Sequence, residues 1–343
     1  LHEEARSARP ANAVTAGMPP VKAKRAIQIC LVGGLSHLDS FDHKPELARL
    51  HGTSLKTDEE VDLFFGQMGL LRKEDWAFQP RGESGLMISD LFPEIAAHAD
   101  KLTVLRSMES KSANHTPGLF LANSGFEFSG FPSMGSWVSY GLGVANESLP
   151  AYVVLNDERG APNTGASTWG SGFLPSSHQG VVLHGGPQPV RDLFPARPVD
   201  TAADRDTQAF IREINILQTP PGEADEAIAA RLQSYELAAR MQASVPLVAS
   251  LADETPATLD AYGVNDPTTA DMGRRCLLGR RLLEEGVRFV QLFSGGPIAG
   301  SPRASWDAHE NVQENHSFEA ARIDRPVAAL LADLAQRGML DDT

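Results

Sequence analysis

The chain has 343 residues, of which 42% are hydrophobic, and its 44 acidic and 30 basic residues give a formal net charge of -14. This length supports one large core or two modest ones rather than a string of small modules. The negative charge, with no local Lys/Arg cluster to offset it, argues against nucleic acid as a partner. No segment approaches the ~20 consecutive apolar residues of a membrane-spanning helix, so no membrane span is expected.

Residues 1–24 are rich in alanine, proline and charge, which predicts a flexible leader ahead of a single domain over residues 25–343. Because the first residue is leucine, we expect the chain to have been processed or cut from a longer one. Cys30 and Cys276 are the only cysteines, and both lie in regular apolar patterns. Two free, buried thiols are therefore predicted rather than a disulfide framework.

Short apolar runs bounded by turn residues predict strands. They are residues 26–32, 102–105, 151–155, 181–183 and 287–293. Helical patterns cover residues 227–241, 271–285 and 317–337, with Gly286 and Gly338 as stop signals. A helix that leads directly into a strand at Gly286 is typical of βαβ units. The sequence therefore predicts an α/β fold with a mostly parallel, doubly wound sheet and helices on both faces.

Residues 173–198 are rich in glycine and proline and predict an elaborated surface loop, of the kind that shapes sites on α/β scaffolds. At the other end, residues 341–343 follow a helix stop at the point where an α/β chain would enter its next strand. We therefore expect the sequence to end within a structural unit.

The first candidate site is the run of residues 33–39 (GGLSHLD), directly after the opening strand. Ligands bind open α/β sheets at the carboxyl ends of the strands, so His37 and Asp39 are candidate ligand-binding residues. The spacing does not match a dinucleotide-binding glycine motif. A polar strand-to-helix turn, capped by Asp39 or Ser40, is an equally good interpretation.

The second candidate is residues 114–125, which read as a short helix with Thr116 as N-cap, Pro117 at the first helical position and Gly125 after its end. A buried helix N-terminus attracts anions. Thr116 is thus either an ordinary cap or a nucleophile facing a phosphate-like or sulfate-like group. His115, beside the positive helix end, should stay neutral, which favours metal ligation over acid catalysis.

The third candidate is residues 305–309 (SWDAH). Asp307 and His309 could supply two metal ligands from one loop, a combination that suits Zn²⁺ or another divalent ion. A chance surface cluster is the alternative, because the chain is acidic throughout and Glu310, Glu314 and His316 follow closely.

Taken in order, these segments resemble the domain-of-unknown-function 1501 family along essentially the whole chain. The matching segments are residues 33–45 (GGLSHLDSFDHKP), 114–115 (NH), 124–125 (SG), 135–143 (GSWVSYGLG), 149–150 (LP), 172–175 (GFLP), 179–180 (QG), 280–290 (RRLLEEGVRFV) and 306–309 (WDAH).

The resemblance implies membership of the alkaline phosphatase-like superfamily, with a metal-centred site at the carboxyl edge of the sheet. It implies that the metal ligands are Asp39, His115, Asp307 and His309, with His37 as a further candidate ligand. It also implies that the nucleophile position falls on His115 rather than Thr116, which remains a second catalytic candidate. The Cys/Ser-x-Pro-x-Arg signature of sulfatases is absent, which disfavours a formylglycine-type sulfatase.

The implied function is metal-dependent hydrolysis of phosphate or sulfate esters, of a small molecule or a polysaccharide, with Zn²⁺, Ca²⁺ or Mg²⁺ as cofactor. Family members often carry a twin-arginine export signal, so a periplasmic or secreted protein is expected.

Family members typically continue beyond the equivalent of Thr343 with a Glu-Phe-Gly-Arg-Thr segment and an Arg-Asp-His segment. The C-terminal part of the fold is therefore expected to be missing, and this chain to be inactive alone. The alternative is a non-catalytic cell-envelope binding or assembly protein with a vestigial site.

Overall fold

The computed structural model describes residues 22–58, 68–186, 189–190, 200–217, 226–297 and 304–343. Residues 1–21 of the predicted leader, and residues 187–188 and 191–198 of the predicted loop, lie outside the described residues. The end of the leader contacts the domain. The backbone N–H of Lys24 donates to the carbonyl oxygen of Asp342 at 2.8 Å, and its Nζ lies 2.8 Å from the Asp342 carboxylate.

The main sheet is parallel, as predicted. The described strands are β1 (Ala26–Leu31), β2 (Phe78–Arg81), β3 (Leu86–Ser89), β4 (Tyr152–Leu155), β5 (Val181–Leu183) and β6 (Phe289–Ser294). Four of them form a parallel sheet in the order β1-β6-β4-β5, and β2 pairs with β3 in a separate antiparallel hairpin. Every residue of β4 and β6 is buried, which explains why these strands read as continuous apolar runs.

The described helices, in chain order, are α1 (Pro45–Arg49), α2 (Pro93–Ala96), α3 (His115–Ser124), α4 (Met134–Leu142), α5 (Thr201–Leu217), α6 (Glu226–Ala249), α7 (Pro256–Ala261), α8 (Ala270–Glu284) and α9 (Val312–Gln336). Helices α6, α8 and α9 correspond to the three that the sequence pattern predicts. Helix α9 begins at Val312 rather than at residue 317, so it starts closer to the SWDAH loop than predicted. A short 3-10 turn, Leu340–Asp342, follows it.

Helices cover both faces of the sheet, also as predicted. Alternate side chains of a strand point to opposite faces. Val153 and Leu155 of β4 pack in the same cluster as Leu277 of α8, whereas Tyr152 packs with Val138 of α4. Burying an aliphatic side chain such as Leu277 contributes about 1.5–3 kcal/mol, so both apolar layers stabilise the fold.

One predicted strand is wrong. Residues 102–105 belong to no strand, and the side chain of Leu105 is 71% exposed. The run has the composition of a strand, but in the described structure it pairs with none of the four strands of the parallel sheet. The β2–β3 hairpin was not predicted, since Pro80 inside β2 weakens the strand pattern there.

The contact between α2 and α9 gives a pH-dependent contribution to stability. The buried carboxylate of Asp324 accepts hydrogen bonds from the backbone N–H groups of Glu94 and Ile95, both at 2.8 Å. Burial raises the pKa of Asp324 to about 6, outweighing these hydrogen bonds, which lower it. The folded state therefore holds this proton to a higher pH than the unfolded chain does.

From this sign, the free energy of unfolding should fall as pH rises from about 4 to about 6. We expect Asp324→Asn to remove most of the fall in that window, because the amide keeps a hydrogen-bond acceptor but does not ionise. Denaturant unfolding at pH 4, 5 and 6 measures the slope, and an identical slope in both proteins would contradict the assignment to Asp324.

The two cysteines are free thiols, as predicted, although Cys30 is half-buried and only Cys276 is fully buried. Burial raises the pKa of each thiol to about 12. Both therefore stay protonated at neutral pH and are poor nucleophiles. Among the residues that the structure describes, no helix is both long and apolar enough to cross a bilayer.

Candidate metal centre

Three of the predicted ligands meet at the carboxyl edge of the sheet. His115 is the first residue of α3, and Asp307 and His309 lie in the loop between β6 and α9. The Nε2 atoms of His309 and His115 lie 2.8 and 3.3 Å from the same carboxylate oxygen, Oδ1 of Asp307. One ligand atom from each residue falls within 4.8 Å of the other two. In the part of the chain that the structure describes, this is the one group of three or more such side chains arranged to hold a metal ion.

The carboxylate is on the inner side of the group and the imidazoles are on the solvent side. The side chain of Asp307 is 6% exposed, whereas those of His115 and His309 are 33% and 42% exposed. The two rings lie 6.4 Å apart between centroids. An ion could therefore enter from solvent and meet a carboxylate that the fold already holds in place.

Asp307 is positioned by its neighbour Trp306, which is completely buried. The backbone N–H of Trp306 donates to the carbonyl oxygen of Val32, just after β1, at 2.8 Å. Its indole Nε1 donates to Oγ of Ser294, at the end of β6, at 3.1 Å. Because Trp306 is bound to the ends of two adjacent strands, Asp307 projects from the edge of the sheet.

Gly33 is the residue against which Asp307 packs. It adopts a φ of +101°, and a Cβ atom there would lie 2.3 Å from the backbone nitrogen of Asp307. Gly34 has a similar φ of +97°, but a Cβ atom there would meet nothing within 4 Å. Replacing either glycine would therefore strain the backbone, but only a side chain at position 33 would displace Asp307.

We expect Gly34→Ala to cost about 1–2 kcal/mol of stability through backbone strain alone. Gly33→Ala should cost more and should also weaken metal binding by tenfold or more, because Asp307 must move. Thermal unfolding and zinc titration of both variants measure these effects. Equal zinc affinity in the two variants would show that Gly33 does not set the position of Asp307.

His115 is positioned by the capped start of α3, although the cap differs from the prediction. Asn114 is the N-cap, and its side-chain oxygen accepts a hydrogen bond from the backbone N–H of Thr116 at 3.1 Å. Asparagine is at least as good an N-cap as threonine, and the helix starts at His115, two residues earlier than predicted. Thr116 is exposed within the first turn, and no hydrogen bond links its hydroxyl to another described residue. Gly125 ends the helix at a φ of +81°, as predicted.

Asp39 and His37 lie in the turn after β1, outside the group of three. The buried carboxylate of Asp39 accepts from the hydroxyl of Ser36 at 2.6 Å and from the backbone N–H of Asp75 at 2.9 Å. The guanidinium of Arg72 lies 3.4 Å from it and also pairs with Asp75. The Asp39 charge is thus already compensated by protein groups. His37 is exposed.

Comparison with known proteins confirms the family resemblance. A sequence model of the family described as protein of unknown function (DUF1501) matches residues 23–343. The chain belongs to the DUF1501 family. Searches of curated proteins and of solved structures each gave no match.

The sequence analysis of this DUF1501 chain named His316 only within a possible chance surface cluster and missed its structural role. His316 of α9 is buried, and its Nε2 accepts the backbone N–H of Ser36 at 2.9 Å, so that its proton must lie on Nδ1, which faces Oδ1 of Asn315 at 3.1 Å. Burial lowers the pKa of His316 and favours this neutral form. The contact ties the turn after β1 to α9. No local spacing could have predicted it, because the two residues are 280 positions apart.

A buried ion-pair network at the ends of β4 and β6 also lies on this edge of the DUF1501 chain. Arg159 pairs with Asp157, at 2.8 Å, and with both carboxylate oxygens of Glu319, at 2.6 and 2.9 Å. Asp157 also accepts the backbone N–H of Gly295 at 2.8 Å. Burial would raise the pKa of Asp157, but the hydrogen bond from Arg159 and the charges of Arg275 and Arg159 outweigh it and lower the pKa to about 2. These carboxylates are neutralised by arginine, so this network is structural.

Proposed function

We propose that His115, Asp307 and His309 form the metal centre of a hydrolase of phosphate or sulfate esters, and that the fold belongs to the alkaline phosphatase-like superfamily. The observation that carries this proposal is the approach of two imidazole nitrogens to one carboxylate oxygen, at 2.8 and 3.3 Å. The family resemblance supplies the reaction class.

The donor atoms fit a zinc-type site. Catalytic zinc sites use three protein ligands from histidine, carboxylate and cysteine, and leave one position open. Metal–ligand bonds of about 2.0–2.2 Å keep tetrahedral donors roughly 3.4 Å apart. Nε2 of His115, at 3.3 Å from Asp307, is already at this spacing, whereas Nε2 of His309, at 2.8 Å, would need to move away by about 0.6 Å. Ca²⁺ and Mg²⁺ prefer sites built from oxygen ligands. We therefore place Zn²⁺ or a related transition metal ahead of them.

When bound, a divalent ion would polarise the ester and increase the acidity of an attacking water. Asp307 would anchor it from the buried side, and His115 and His309 would hold it from the solvent side in their neutral forms. Thr116 lies one residue after His115, but its hydroxyl donates no hydrogen bond to a described base that could activate it. We therefore assign the attack to water rather than to Thr116.

We further propose that the protein is exported to the periplasm or secreted, as the family's twin-arginine signals suggest. The substrate would be a small-molecule or polysaccharide ester. The side chains of His309 and His115 are 42% and 33% exposed, which suits a substrate that arrives from solvent.

A non-catalytic cell-envelope protein on the same scaffold is the second candidate. Compensation of Asp39 by Arg72 favours it, because the three remaining ligands could hold a structural ion without a substrate.

The test measures metal content and turnover together. Metal-free protein is supplied in turn with Zn²⁺, Mg²⁺ and Ca²⁺ and assayed on aryl phosphate and aryl sulfate esters, with Asp307→Asn as the matched control. The same assays are run on a longer form that carries the Glu-Phe-Gly-Arg-Thr and Arg-Asp-His segments typical of the family.

Metal-dependent turnover in either form that is lost in Asp307→Asn supports the hydrolase. Stoichiometric metal without turnover in both forms would support the non-catalytic candidate. A folded protein that binds no metal in either form would overturn the metal centre itself.

A further inference from the structure

A buried polar cluster lies in the otherwise apolar layer between α3 and the sheet. It joins Gln28 of β1, Gln291 of β6, Tyr152 of β4 and Asn123 of α3. Gln291, Tyr152 and Asn123 are each at most 2% exposed. Buried polar groups are costly unless they are hydrogen-bonded, so a cluster at this position needs a reason.

Gln291 is the centre of the cluster. Its Oε1 accepts the hydroxyl of Tyr152, and its Nε2 donates to Oε1 of Gln28, at 3.0 Å, and to Oδ1 of Asn123. The amide of Asn123 in turn donates to the carbonyl oxygen of Leu119 at 2.7 Å. Both amide hydrogens of Gln291 are thus used, and one of them holds α3.

A hydrogen bond constrains a helix differently from an apolar contact. Leu119 also packs α3 against the sheet, but a leucine side chain tolerates small rotations and shifts of the helix. The bond from Gln291 to Asn123 is directional, and it is lost when α3 rotates or slides. His115 is eight residues before Asn123, which is about 12 Å along the helix axis and within roughly 80° around it. The position of Asn123 therefore sets the position of His115.

Strand β6 supports both halves of the metal centre. Gln291 in its middle holds Asn123 and thereby the helix of His115. Ser294 at its end holds Trp306 and thereby Asp307. The two supports, Gln291 and Ser294, are three residues apart on one fully buried strand. The positions of His115 and Asp307 relative to each other therefore both depend on β6.

We propose that the hydrogen bond between Gln291 and Asn123 is a positioning contact, which fixes the rotation and register of α3 so that His115 meets Asp307. This inference rests on the proposed metal centre. Asn123 and Gln291 are positioning residues that act through His115. Residues that hydrogen-bond directly to a metal ligand typically change metal affinity by about 10- to 100-fold when they are removed, and for contacts that act through the helix we expect the lower end of this range.

The test compares three variants at Asn123 and Leu119, which lie on one face of α3. Asn123→Leu removes the hydrogen bond with little change of volume. Asn123→Asp is the conservative variant, because burial favours a protonated carboxyl, which keeps an oxygen for Gln291 and a hydroxyl for Leu119. Leu119→Ala weakens the packing of α3 without removing its hydrogen bond. Asn123→Ala replaces the leucine variant if that protein does not fold.

Zinc affinity is measured by competition with a chelating dye, and the imidazole nitrogen shifts of His115 are measured by NMR in the metal-free proteins. We expect Asn123→Leu to weaken zinc binding about tenfold or more and to shift the His115 signals. Asn123→Asp and Leu119→Ala should stay within about threefold of the parent chain.

Equal losses of zinc affinity in Asn123→Leu and Leu119→Ala, or no loss of affinity in either variant, would overturn the positioning role. If the parent chain binds no zinc, the metal centre fails, and the His115 shifts alone decide the inference. A shift in Asn123→Leu that Asn123→Asp reverses would then support positioning, and unchanged His115 signals would overturn it.

Discussion

Replacing Asp307 or His309 with alanine is expected to weaken Zn²⁺ binding by roughly 100-fold or more. Asp307 is the common partner of both imidazoles, so its loss removes one ligand and releases the other two. His309 is one of only two nitrogen donors in the group. Titration of metal-free protein against a competing chelator measures the dissociation constants.

His37→Ala is the matched control for this prediction. His37 is an exposed histidine at the same edge of the sheet, but it lies outside the group of three. Its replacement should leave zinc affinity within about threefold. If His37→Ala weakened binding as much as His309→Ala, the ion would be bound by a different set of ligands.

Glu319→Ala is expected to destabilise the protein by about 3–5 kcal/mol, which is the usual cost of breaking a buried ion pair by removing one partner. The side chain of Glu319 is fully buried, and both of its oxygens bind Arg159. Its removal leaves the Arg159 guanidinium without two hydrogen bonds in a site that is only 18% exposed. Denaturant unfolding measures the loss.

Glu158→Ala is the control for the network, because Glu158 pairs with Arg322 at 3.1 Å while its own side chain is 58% exposed. Exposed pairs contribute about 1 kcal/mol or less. A Glu319→Ala variant that is no less stable than Glu158→Ala would show that the buried network adds nothing to stability.

The same network predicts acid sensitivity. The pKa of Asp157 is lowered in the folded state to about 2, so the stability that it contributes is present above its unfolded value of about 4 and is lost as pH falls through that window. This slope is opposite in sign to that of Asp324, whose contribution declines as pH rises from about 4 to about 6. The two effects are separable by the Asp324→Asn variant.

Much of the fold was readable from the sequence because local pattern and tertiary environment agree there. Strands β4 and β6 are buried on both faces, so they appear as unbroken apolar runs, and α8 ends at a glycine stop directly before β6. Residues 102–105 misled the prediction because strand composition does not supply a pairing partner.

The candidate site was readable only in part. His115, Asp307 and His309 lie next to element boundaries that the sequence pattern marks, so they could be expected at one edge of the sheet. The environment of Asp39 could not be predicted, because Arg72 comes from an irregular segment more than thirty residues away. For the same reason the contacts of His316 with Ser36 and of Asn123 with Gln291 could be seen only in the folded structure.

The most direct test of the metal centre is anomalous X-ray diffraction at the zinc absorption edge from crystals of this chain equilibrated with Zn²⁺. We expect one strong peak within about 2.0–2.2 Å of Nε2 of His115, Nε2 of His309 and a carboxylate oxygen of Asp307. Well-ordered His115, Asp307 and His309 side chains with no peak between them, or a peak that lies only on other residues, would contradict it.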